Sequence, residues 1–229
     1  MEQTPFSNDP VPTFGANDFA NNPEPRCPCL LLLDKSGSMS GEPMQQLNAG
    51  IQTFQQELLA DELAKKRVEV AVVSFGPVTV DAQFQSASGF IAPSLDASGD
   101  TPLGAAVLRG LDLLAARKQE YRANGILFYR PWVFLITDGA PTDSWTEARN
   151  ALKDGEDKKA FSFFAVGVRG ADFNVLRQMS PTREPIKLDG LKFKEFFVWL
   201  SNSMSRVSAS QVGQTVALPS PAGWGTVAT

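Results

Sequence analysis

The sequence predicts an α/β fold: a mostly parallel central sheet, helices on both faces, and one antiparallel strand at an edge. Three observations predict it. Apolar runs of strand length alternate with segments of helical period along most of the chain. The runs lack polar alternation, as strands covered on both faces do. One connection, Gly76-Pro77, is too short for a crossover and makes a hairpin. No internal repeat interrupts the pattern.

Residues 1–26 hold Pro5, Pro10, Pro12, Pro23 and Pro25 among Asn, Asp and Ser, which predicts a flexible arm. The run 29–33 predicts a buried strand that stops at Asp34. Pro43 suits a first helical turn, and Met44, Leu47, Ile51, Phe54 and Leu58 follow at spacings of three and four, the apolar stripe of an amphipathic helix. Strands are predicted over 68–75 and 78–84. Pro102 then opens a helix with Leu103, Val107, Leu108, Leu111 and Leu114 on its inner face. Strand 132–136, helix 147–152, strand 161–168, helix 173–179, strand 186–188 and helix 193–204 complete the order. From residue 206 the chain is a Ser- and Pro-containing tail without charge after Arg206, whose end either packs through Trp224 or is loose.

Composition narrows the function. The 229 residues include 25 acidic and 21 basic side chains, a net charge of −4, and no histidine. A Ser-His-Asp triad and a His-based metal site are therefore excluded. No basic stripe exists to coat nucleic acid or an anionic membrane, and no run approaches the roughly 18 apolar residues of a span. Lys65, Lys66 and Arg67, the densest basic run, read as a solvated helix end. Cys27 and Cys29 are the only cysteines. They are too close in an extended segment to bridge each other, and they fit a reducing compartment. With no basic region before Arg26 to mark a signal peptide, the expected location is cytoplasmic.

In open parallel sheets, sites form beyond the carboxyl ends of the strands. Two strands here end in an aspartate, Asp34 and Asp138. A carboxylate at the rim of a buried sheet needs a partner, and a cation supplies one. Ser36 and Ser38 follow Asp34 in a loop that Gly37 lets bend back. Thr101 lies in a turn-rich loop before a helix. Two carboxylates and three hydroxyls make an all-oxygen set suited to Mg²⁺, with Mn²⁺ also possible; Ca²⁺ usually draws more carboxylates.

Asp34-Lys35-Ser36-Gly37-Ser38 resembles the D-x-S-x-S segment of the von Willebrand factor A domain, with Thr101 and Asp138 matching in order and context. The resemblance covers roughly residues 27–205. It implies a Rossmann-like three-layer sandwich with a metal-ion-dependent adhesion site made by Asp34, Ser36, Ser38, Thr101 and Asp138. It also implies an open coordination position that a Glu or Asp of a partner protein fills. Three segments look like the bacterial cytosolic TerY-like branch: Ser36 to Pro43, Thr137 to Asp143, and Phe196 to Ser201. That likeness implies a non-catalytic module tied to tellurite or stress resistance, with phosphatase or kinase partners. Lys35 stands at a variable position, and Asp100 adds a carboxylate beside Thr101.

Each residue also has a plainer reading. Asp34, Ser36 and Ser38 could form a capped turn, Thr101 could start its helix, and Glu42 could be a helix-start acid. Phe161, Phe163, Phe164, Phe193, Phe196, Phe197 and Trp199 read as core, and the cysteines as ordinary thiols. The competing class is a Mg²⁺-dependent phosphatase of haloacid dehalogenase type, with Asp34 as nucleophile and Thr137 as phosphate ligand. That chemistry needs a second carboxylate two residues on, where this chain has Ser36.

Overall fold

The structure, a computed structural model, describes Phe19, residues 21–220 and residues 223–227. In chain order the elements are β1 (Cys27–Asp34), a 3-10 turn (Gly37–Met39), α1 (Glu42–Ala60), the single turn α2 (Ala64–Arg67), β2 (Val68–Phe75), β3 (Thr79–Ser86), α3 (Leu103–Ala123), β4 (Trp132–Thr137), α4 (Thr146–Asp157), β5 (Ser162–Gly167), α5 (Phe173–Met179), β6 (Ile186–Leu188), α6 (Phe193–Ala209) and β7 (Gly225–Val227). They form one seven-stranded sheet in the order β3-β2-β1-β4-β5-β6-β7. From β2 through β6 every pairing is parallel, and β3 is the antiparallel edge strand the hairpin predicts.

The four leucines of β1 explain the three layers. Successive side chains of a strand point to opposite faces. Leu31 and Leu33, with Cys27 and Cys29, join one core with α1 and α6, whereas Leu30 and Leu32 join the other with α3, α4 and α5. All four are fully buried, each burial contributing about 1.5–3 kcal/mol. The two helices on the first face pack closely because α1 carries Gly50 in the contact. A Cβ there would lie 2.6 Å from the Phe197 ring of α6.

Residues toward both ends of the described chain pack onto the sandwich. Helix α6 runs to Ala209, past the predicted stop, with Met204 and Val207 buried on its inner face and its serines bonded back to the helix: Ser203 Oγ donates to Trp199 O at 2.8 Å and Ser208 Oγ to Ser205 O at 2.9 Å. Further on, Trp224 is buried against Phe196 and Trp199, and β7 adds a second antiparallel edge beside β6. Charge-free sequence here serves packing.

The predicted arm lies outside the described residues through position 18, but its end is packed. Phe19 is buried, and residue 26 starts the sheet through a bridge to Phe128. At this amino edge Glu69 of β2 is buried among partners. Arg26 Nε donates to it at 3.0 Å, Arg117 of α3 at 2.7 and 2.8 Å, and the Tyr121 hydroxyl at 2.6 Å. The Phe19 ring lies under both guanidiniums. Arg67 is likewise no solvated helix end. It bonds Glu24 at 2.6 Å and the Ser208 carbonyl at 2.5 Å, since the turn before β2 brings it against both. Lys66 is exposed.

Candidate metal centre

The sheet order reverses at β1, with β2 and β3 on one side and β4 onward on the other. Beyond the carboxyl ends of β1 and β4 a crevice is left at this switch point. Asp34 closes β1 and is fully buried. Its Oδ1 accepts from the Ser36 amide at 2.8 Å, and its Oδ2 accepts from Thr137 Oγ1 at 2.5 Å.

The 3-10 turn after Asp34 folds the loop back and sets Ser36 and Ser38 hydroxyls 3.0 Å apart. Ser38 Oγ donates to Asp138 Oδ1 at 2.8 Å. With that proton committed, Ser36 is the donor of the pair. Backbone bonds stitch the neighbouring loops to this turn: Gly37 N to Gly99 O at 3.0 Å and Ser98 N to Lys35 O at 2.7 Å. Gly99 takes a φ of 73°, which favours glycine, to make that contact.

Thr101 is buried at the end of the stitched loop. Its amide donates to Thr142 Oγ1 at 3.0 Å and its carbonyl accepts from Thr142 N at 2.9 Å. Its hydroxyl sits over the residue after Asp138; a Cβ on Gly139 would meet Thr101 Oγ1 at 3.4 Å. Asp34, Ser36, Ser38 and Asp138 thus form one bonded set, with Thr101 against its β4 side. Asp100 and Glu42 are exposed. Glu42 lies in the first turn of α1, the helix-start position.

The electrostatics are unbalanced. Among the described residues neither Asp34 nor Asp138 belongs to an ion pair. Burial pushes the Asp138 carboxyl above its ordinary range and the Asp34 charge adds to that, with the Ser38 hydrogen bond opposing. Two buried anions, three hydroxyls and no nitrogen or sulfur donor fit a hard dication such as Mg²⁺ or Mn²⁺. No trio of His, Cys, Asp or Glu gathers anywhere among the described residues, so the hydroxyls are indispensable to such a set.

Three residues that shape the site stand outside the predicted metal set, Thr137 having a place only in the competing phosphatase reading. Thr137 orients Asp34, Thr142 holds the Thr101 backbone, and Asp143 accepts from the Gly104 and Ala105 amides at 3.0 and 2.8 Å, fixing the start of α3. All three lie in the same Thr137 to Asp143 segment as Asp138. That density of short polar residues after a buried strand was the available signal.

Fold and rim together define a Rossmann-like sandwich with an oxygen-lined crevice at its switch point. The chain belongs to the von Willebrand factor type A domain family, whose profile matches residues 30–195. Solved structures share the fold. The pilus adhesin SpaC of Lactobacillus rhamnosus GG, in its open conformation, matches with a TM-score of 0.65 and 15% identity over 80% of this chain and 30% of that one. The vWF domain of the type V pili tip protein Mfa5 of Porphyromonas gingivalis matches at 0.54 and 10%, covering 84% and 99%. Proximal thread matrix protein 1 of the mussel byssus matches at 0.54 and 14%, covering 80% and 48%. This chain therefore spans under a third of the adhesin's length. No curated protein sequence is significantly similar to it. Domains of this family commonly bind a divalent metal.

Proposed function

We propose that this chain is a non-catalytic, metal-dependent protein-interaction module of the bacterial TerY-like type. In this reading Asp34, Ser36, Ser38, Thr101 and Asp138 hold Mg²⁺ or Mn²⁺, and a partner protein supplies a Glu or Asp. The observation that carries it is the junction of two buried carboxylates, without an ion pair among the described residues, with a relay of hydroxyls. When bound, the ion supplies positive charge that attracts an incoming carboxylate in a partly dry site.

The chain's own residues do the rest. Ser36 donates to Ser38 and Ser38 to Asp138, so each hydroxyl's proton is engaged and each oxygen keeps a lone pair for a cation. Thr137 and the Ser36 amide fix Asp34. The same bonds argue against Asp34 as a phosphatase nucleophile, since both its oxygens are engaged and it is shielded from solvent.

The TerY-like assignment, with its tellurite or stress resistance and its phosphatase or kinase partners, rests on the motifs quoted above and on analogy. A cytoplasmic setting is supported by the buried, unpaired Cys27 and Cys29. No helix among the described residues is long and apolar enough to cross a membrane.

Titration calorimetry with Mg²⁺ and Mn²⁺ tests the centre. The wild type takes up one ion and Ser38→Ala takes it up at least tenfold more weakly; the absence of uptake would sink the reading. Pull-downs with and without EDTA test the partner acid. Turnover of p-nitrophenyl phosphate that vanishes in Asp34→Asn would favour the phosphatase instead.

A further inference from the structure

Two cations flank the candidate metal centre along the carboxyl edge, and their circumstances differ. Lys35 is held: its Nζ donates to Thr79 Oγ1 at 3.0 Å, and that hydroxyl bonds Asp81 at 3.1 Å, so the ammonium rests against β3 beside a carboxylate. Arg169, in the turn after β5, is exposed and has neither an ion pair nor a hydrogen-bonded side-chain partner among the described residues.

The turn that carries Arg169 is nonetheless fixed to the site. Val168 N donates to Thr137 O at 2.8 Å, Ala171 N closes the turn on Val168 O at 3.0 Å, and a Cβ on Gly170 would lie 3.0 Å from the Asp138 carbonyl. Arg169 is therefore anchored within a residue of backbone that touches Asp138. On the other flank, the loop that packs on Gly37 and Gly76 carries the exposed carboxylates of Asp96 and Asp100. Acids lie on the β5 side too, but Asp143 and Asp172 are both engaged by helix-start amides, which leaves Arg169 there as a guanidinium without an ion pair among the described residues.

We propose that Arg169 is a specificity-determining residue that takes a second carboxylate of the partner, so that the segment recognised here carries two acidic side chains. This rests on the metal-dependent reading above. The first acid reaches the metal centre. The second lies toward β5, roughly 7 Å away, which is the distance between side chains two residues apart in an extended segment. A guanidinium forks onto a carboxylate through two parallel hydrogen bonds, and Arg169 has no ion pair among the described residues to give up. Approach in the reverse direction would set the second acid against Asp100.

The test uses the full chain loaded with Mn²⁺ and two synthetic peptides, acetyl-Gly-Ser-Glu-Ser-Gly-amide and acetyl-Gly-Glu-Ser-Glu-Gly-amide. Water-proton relaxation reads both Mn²⁺ uptake and displacement of its water by peptide. Either Glu of the two-Glu peptide can reach the ion, which alone gives a twofold statistical gain; with the ion pair the advantage is roughly three- to tenfold at low salt, and it shrinks as salt rises. In Arg169→Gln the advantage falls to about twofold while Mn²⁺ uptake and single-Glu binding stay unchanged; Arg169→Lys keeps part of it. An advantage in Arg169→Gln as large as the wild type's, or no more than a twofold advantage in the wild type, overturns the role of Arg169 and leaves the metal centre standing. Failure of the wild type to take up Mn²⁺ overturns the reading underneath as well.

Discussion

Glu69, near the start of β2, and Asp34, at the end of β1, are both fully enclosed carboxylates of one sheet, at opposite ends of it. Glu69 meets two guanidiniums and a phenol, and its charge is answered within the chain. Burial, and then the Glu69 charge, push the Tyr121 phenol well above its usual range, which keeps it a donor. Asp34 meets an amide, a hydroxyl and, across the crevice, a second carboxylate. The contrast separates a carboxylate whose charge is answered by cations of the chain from one that meets only neutral donors and another acid. A buried group alone does not mark a site; the sign of what surrounds it does.

The comparison can be broken by treating both ends alike. Glu69→Gln leaves Arg26 and Arg117 buried around a neutral amide, and should cost roughly 3–5 kcal/mol of stability, read from the midpoint of urea unfolding. At the other end, Mg²⁺ at a hundredfold its Kd should stabilise the wild type by about 2.7 kcal/mol, and Asp138→Asn should lose that gain. Without metal, Asp138→Asn should behave opposite to Glu69→Gln. Removing one of two buried like charges leaves stability unchanged or raises it by up to about 1 kcal/mol. A loss of several kcal/mol in the metal-free variant would erase the distinction between the two ends.

The smallest effect lies beside the amino end. Asp61 caps the turn before β2, accepting from the Leu63 and Ala64 amides at 2.9 and 2.8 Å. The Ala64 amide foremost holds its carboxyl below the usual carboxylate range. A depressed folded value means that this stabilisation is present above the unfolded pKa and is lost as pH falls through the folded one. Asp61→Ala should therefore cost about 0.5–1 kcal/mol at pH 7, toward the low end for a solvent-accessible cap, and progressively less in acid. Unfolding midpoints of both proteins between pH 7 and 2 check this.

The carboxyl end was far more legible in the sequence than the amino end. A strand running into Asp34, a loop of small hydroxyls, and a second strand running into Asp138 are local signals, and the short Gly76-Pro77 connection fixed the β2–β3 hairpin. The Glu69 cluster carries no such signal: Arg26 and Arg117 lie 43 and 48 residues from it, and only the assembled sheet joins them. Strand β7 was hidden for a different reason. Its three residues have no period to detect, and the sequence leaves the charge-free end either packed through Trp224 or loose; the fold takes the first, with Trp224 against α6.

The backbone stitching of the rim has a consequence for timing. Gly37 to Gly99, Ser98 to Lys35, Thr142 to Thr101 and Val168 to Thr137 are hydrogen bonds between amides and carbonyls, made without any ligand. If the rim holds an ion as proposed, the backbone around it is already tied by these bonds, so capture and release need not wait for refolding. Attachment governed by such a rim would track the free-ion level of its surroundings from moment to moment, as a dial does and a latch does not.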